Sequence, residues 1–173
     1  MKMNSPTPPS RRAALALLGA PVLAAGLAGC GFELRKAPVF AFKTLSIPGS
    51  SPLVVYLRRN IASAGTVEIL PPARQSEAEA VLDILGESRE RVVLSTNAAG
   101  EVRELELRLT VRFRLRTPAG KELLVTEISQ KRDLTYNETN ALAKEGESEL
   151  LYRDMQNDVA QQMLRRMAAV KSL

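Results

Sequence analysis

Histidine and tryptophan are missing from the 173 residues, and there is a single cysteine. Without histidine the chain lacks the commonest general base and the commonest metal ligand together. One cysteine excludes an intramolecular disulfide and a cysteine-rich zinc site. Aromatic residues are only 4% of the chain. No Gly-rich phosphate loop, metal-ligand spacing or histidine-based triad occurs. Serine, lysine and paired carboxylates leave catalysis conceivable, but the expectation is a protein that is not an enzyme and holds no metal or dissociable cofactor. Hydrophobic residues at 45% and charged residues at 25% are ordinary for a globular chain of one domain, so disorder and a polytopic membrane protein are both excluded.

The charge of +5 and pI near 9.7 suggest a polyanion ligand only until the basic residues are located. Residues 1–29 hold Lys2, Arg11 and Arg12 and no acid; the remainder carries 21 basic against 19 acidic residues. That near balance argues against nucleic acid as a partner. Met1 to Arg12 is a polar, proline-containing segment. It is followed by an uncharged run of small apolar residues that closes on Leu27-Ala28-Gly29-Cys30. The run is short for a membrane span and is interrupted by Gly19, Pro21 and Gly26. It resembles a bacterial lipoprotein signal peptide, with the only cysteine at the acylation position. The resemblance implies cleavage after residue 29, a diacylglycerol and an N-acyl chain such as palmitate on Cys30, and a lipidated tether over 30–42. Gly31 stands where many inner-membrane lipoproteins carry aspartate, which points to the outer membrane. Several acyl chains give stable attachment where one would be marginal.

Beyond the tether, 43–173 reads as one domain. Alternation predicts a strand over Lys43–Ile47. Ser51 and Pro52 then open a helix with Leu53, Leu57, Ile61 and Ala64 on one face, and Gly65 closes it. A brief strand, Thr66–Leu70, stops at Pro71-Pro72. From Glu79 to Tyr136 the period is two. Ala80, Leu82 and Ile84 share a face, as do Val92 and Leu94, with Gly86 a candidate bulge. Residues 97–100 form a hairpin loop. Leu105 to Leu115 alternates without a break, and a turn at 117–120 leads to a strand over 123–136. This meander is expected at the centre of the sheet. The C-terminal segment returns to helical spacing through Leu151, Met155, Val159, Met163, Met167 and Val170, while Gln156, Asp158, Gln161, Arg165 and Arg166 point away. The fold class expected is α+β: a mixed, mainly antiparallel sheet of about four strands with two helices packed on one face.

Two motifs bracket the mature chain. Cys30-Gly31-Phe32-Glu33-Leu34-Arg35 resembles the start of the LptE family of lipopolysaccharide-assembly outer-membrane lipoproteins. Ala141-Leu142-Ala143-Lys144 and Glu149-Leu150-Leu151-Tyr152-Arg153-Asp154-Met155 resemble the start of that family's last helix. The order of elements fits the same family. The resemblance implies a non-enzymatic protein that plugs and assists assembly of the LptD β-barrel and contacts lipopolysaccharide during its insertion into the outer leaflet. Lys144 matches the lysine of the Ala-Leu-Ala-Lys motif and is a candidate for lipopolysaccharide contact. Where the family is basic at the hairpin tip, this chain has Ala98 and Ala99, and Arg103 is the nearest base. The polar face of the long strand carries Arg108, Arg112, Arg114 and Arg116, candidates to face a barrel or ligand, since arginine pairs well with phosphate and carboxylate. A solvated sheet face is the plain alternative. A lipoprotein adaptor for another barrel or secretion complex also fits the residues.

Overall fold

A computed structural model describes residues 38–173. The signal peptide over 1–29, the lipidation site Cys30 and most of the tether over 30–42 lie outside these described residues. Strand β1 spans Thr44–Ser46, helix α1 Pro52–Ala64 and strand β2 Glu68–Leu70. A 3-10 segment over Pro72–Glu77 follows, then three long strands: β3 at Ala80–Thr96, β4 at Val102–Arg116 and β5 at Glu122–Thr135. A second 3-10 turn, Glu138–Asn140, leads into helix α2, Ala141–Ala168.

The caps of α1 are those its sequence specifies. The Ser51 side chain accepts a hydrogen bond from the Val54 amide, Pro52 occupies the first turn, and Gly65 adopts φ 66°, where a side chain would strain the backbone. Leu53, Val54, Leu57 and Ile61 are buried beneath it.

The five strands form one sheet in the order β2-β1-β3-β4-β5. β1 runs parallel to both neighbours, and the β3–β4–β5 meander is antiparallel. The class is therefore the expected α+β with a mixed sheet, built from five strands. The meander does not occupy the centre. It makes up one side of the sheet and leaves β5 as an edge, because the β1–α1–β2 unit adds both its short strands beyond β3.

Alternation in β4 sorts its side chains cleanly. Leu107, Leu109, Val111, Phe113 and Leu115 are fully buried in one core cluster with Leu53, Leu57 and Ile61 of α1 and with Met155, Val159, Met163 and Met167 of α2. Each such side chain removed from water contributes about 1.5–3 kcal/mol. Both helices thus share the apolar side of the sheet. Among the described residues, no helix lies over the opposite side of the meander.

Two assignments change. Gly86 does mark a bulge, but its effect is to switch faces. Ile84 pairs with Phe113 on the core side, Leu85 is left over, and Glu87 pairs with Val111. Beyond that shift it is the odd-numbered residues of β3 that face α2. Val92 consequently pairs with Glu106 on the bare side instead of continuing the apolar face of Ala80 to Ile84, and Leu94 falls in a second register shift, half exposed. The same switch brings Glu87 under the C-terminal helix, where the Gln156 amide donates to its Oε1 at 2.9 Å. Gln156 is only 8% exposed, so it belongs to the packed side of α2 and does not point away.

Candidate functional site

Beyond the bulge the interface between β3 and α2 is polar. The Arg91 guanidinium makes paired hydrogen bonds to the Glu145 carboxylate at 2.6 and 2.7 Å. Arg89 reaches Glu149 at 3.3 Å and lies over the Tyr152 ring, 4.9 Å from its centroid. The Tyr152 hydroxyl donates to the Glu90 carbonyl at 2.7 Å. Burial raises the Tyr152 pKa, and Arg91 holds the Glu145 carboxyl below its ordinary range. These contacts seat the N-terminal half of α2 along the hairpin, since apolar residues on this part of β3 are few.

The bare side of the meander carries the arginines singled out in the sequence. They do not form a free positive stripe. Arg116 and Arg114 both donate to Asp83, at 2.7 and 2.9 Å, and Arg114 also reaches Glu122 at 3.3 Å. Burial would raise the Asp83 pKa, but hydrogen bonds from Arg116 and Arg114 outweigh it, and the net shift is downward. Arg108 bonds Glu106, which Lys131 approaches at 3.4 Å; the Arg108 hydrogen bond is the main cause of the lowered Glu106 pKa. With side-chain exposures of 15% for Asp83, 17% for Arg116 and 14% for Glu106, these groups are fixed by one another more than by water. Arg112 makes no ion pair among the described residues. It borders a cavity of about 350 Å³ over the bulge with Gly86, Ser88, Thr110 and Glu127. The face is consequently a lattice of mixed charge, in which cross-strand carboxylates offset the arginines.

Lys144 and Arg103 both lie toward the hairpin-loop end of the molecule. Lys144, in the first turn of α2, is 22% exposed and pairs with Glu147 at 2.8 Å. Arg103 follows the loop and pairs with Glu101 at 3.3 Å; its carbonyl accepts from the Tyr136 amide at 2.7 Å, which ties the loop to the segment leading into α2. A cavity of about 210 Å³ there is bordered by Arg103, Glu101 and Glu138. Neither base meets the arginines of the bare face, so the candidates form two groups. At the loop tip, Asn97 accepts from the Ala99 and Glu101 amides and Gly100 adopts φ 84°. Among the described residues no cluster of acidic side chains could hold a metal ion, and no helix is long and apolar enough to cross a membrane.

Sequence reasoning missed Arg89 and Arg91 as contacts to α2, because the face switch at Leu85–Gly86 decides their direction. It also missed a cleft between α1 and α2, bordered by Tyr56, Arg59 and Arg153, for which two distant segments must meet.

Three kinds of comparison relate the chain to known proteins. The family model for LptE, lipopolysaccharide-assembly, matches residues 42–167. The LPS-assembly lipoprotein LptE of Yersinia enterocolitica is 30% identical over 164 residues, covering 92% of this chain and 77% of that protein. The solution structure of a lipoprotein B from Nitrosomonas europaea is 34% identical with a TM-score of 0.68, over 80% of this chain and 91% of that one. The crystal structure of the rare lipoprotein B from Shewanella oneidensis is 31% identical with a TM-score of 0.62, over 73% and 95%.

Proposed function

The chain belongs to the LptE lipopolysaccharide-assembly family, and on that premise we propose that it is held at the outer membrane by acyl chains on Cys30 and lodges within the LptD β-barrel. The family role is accessory and not enzymatic. In this reading the bare side of the β3–β4–β5 meander faces the polar interior of the barrel, and Lys144 and Arg103 meet the phosphates of lipopolysaccharide as it passes.

The observation that carries the proposal is the one-sided sheet. Helices cover one side, and among the described residues the other presents charges that, Arg112 apart, include arginines already paired with carboxylates. Such a surface can stand in an aqueous lumen without being desolvated, because large barrels have polar interiors. Its ion pairs also fix the long side chains before contact, which lowers the ordering entropy of association. The acyl chains would keep the domain beside the membrane while the barrel closes around it, raising its effective concentration there.

A photo-crosslinking residue in place of Thr110, half-buried at the middle of the bare face, tests the proposal. In cells, a covalent adduct with LptD is expected. A folded, acylated protein that gives no adduct with a barrel from this position would contradict the assignment of the face.

A further inference from the structure

On the helical side of the molecule, away from the meander's bare face, α1 and α2 leave a cleft of about 470 Å³ between them. Its α1 wall is apolar: Leu53 is fully buried, Tyr56 is half-buried, and Val55 stands 44% exposed on the surface. Two guanidiniums border it, Arg59 from α1 and Arg153 from α2. Both are exposed, and neither makes an ion pair among the described residues. Among the described residues no carboxylate lines the cleft. A second hollow of about 310 Å³, bordered by Tyr56, Arg59, Asn60 and Ser63, shares two residues with it and has no acid among the described residues. The hollow over the bulge differs, since there Arg112 shares the lining with Glu127, its neighbour on β5.

An apolar wall bordered by two arginines that make no ion pair among the described residues matches an amphiphilic anion. Alkyl carbon covers Val55 and the Tyr56 ring, and the anionic head takes charge-assisted hydrogen bonds from guanidiniums that would give up no internal partner to make them. From this charge complementarity we propose that the α1–α2 cleft is a binding site for a single-chain anionic lipid, an alkyl phosphate or carboxylate, distinct from the positions of Lys144 and Arg103. The site rests on the cleft alone and does not require the barrel reading.

The test uses the chain without its signal peptide, with Cys30→Ser, and dodecyl phosphate below its micelle concentration, followed by calorimetry and by amide NMR shifts. One equivalent is expected to bind, with shifts at Val55, Arg59 and Arg153. The double variant Arg59→Gln, Arg153→Gln should bind about tenfold more weakly or worse, the effect of losing even one such contact. Val55→Glu, a change at an exposed position, should weaken binding similarly by repulsion while leaving the fold intact. Arg165→Gln, on an exposed turn elsewhere on α2, should bind as wild type. Inorganic phosphate should give no saturable signal, and dodecyl maltoside a much weaker one. Unchanged affinity in the double variant overturns the proposal. So does inorganic phosphate binding as tightly as dodecyl phosphate, an acidic peptide displacing it from the cleft at lower concentration, or closure of the cleft by dimerisation.

Discussion

Asp83 shows how a single side chain organises the bare face. It sits on β3 just before the bulge, where the two arginines of β4 nearest the Thr117–Gly120 turn converge on it. Their hydrogen bonds outweigh burial and depress its pKa. A carboxylate depressed in the folded state contributes stability that is fully present above its unfolded value, about pH 4, and is lost as pH falls through the depressed value. Asp83→Asn should therefore lower the unfolding free energy near neutrality and reduce its pH dependence below about pH 4. Denaturation at pH 7 and pH 3 checks this; curves superimposable on wild type at both would mean the ion pairs have no energetic weight. Lys144 makes the complementary case. Its partner Glu147 is on the same helix, so the pair is worth little to stability. Lipopolysaccharide affinity is expected to fall in the order wild type, Lys144→Gln, Lys144→Glu, with Arg165→Glu closer to wild type. Superimposable titrations for wild type and Lys144→Glu would remove this lysine from the site.

Elements fold as their period and caps dictate, and the departures in β3 come from its register shifts. Ser51, Pro52 and Gly65 bound α1 where sequence signals place its ends, and the unbroken alternation of β4 separates its two faces correctly. Phe113 and Leu109 are fully buried. Replacing either by Ala should cost about 2–5 kcal/mol, from lost transfer energy and the cavity left behind. A loss below 1 kcal/mol by chemical denaturation would show that the core at β4 is not packed as described. The direction of β3 beyond Gly86 was not legible. Alternation alone gives two possible phases, and the surplus residue at Leu85 changes the phase midway. Glu87, Arg89 and Arg91 thereby come to face α2, which is also why Gln156, polar and apparently misplaced on the helix, has a partner there. The wider buried stripe of α2, with Tyr152, Ala160 and Leu164 beside the methionines, follows from this helix packing on β4, β5 and α1 at once, while its polar side chains reach β3.

For the molecule as a whole, the class of fold and the existence of a polar sheet face could be read from the period of the residues. The electrostatics of that face could not. Four arginines alternating along one strand look like a basic patch until cross-strand register sets Asp83 and Glu122 beside Arg114 and Arg116, while Glu106 of the same strand pairs with Arg108. Register is a long-range property that strand composition does not contain. In the proposed reading, a face whose charges are largely paired suits a protein enclosed by a polar wall better than one that collects polyanions on this surface. The central claim, partnership with LptD at the outer membrane, is tested most directly by affinity purification of the acylated chain from detergent-solubilised outer membranes, with the co-purifying barrel identified by mass spectrometry and Cys30→Ser as the unanchored control. The account predicts LptD in near-stoichiometric amount with the acylated protein; recovery of a different barrel, or of the folded lipoprotein with no barrel, would contradict it.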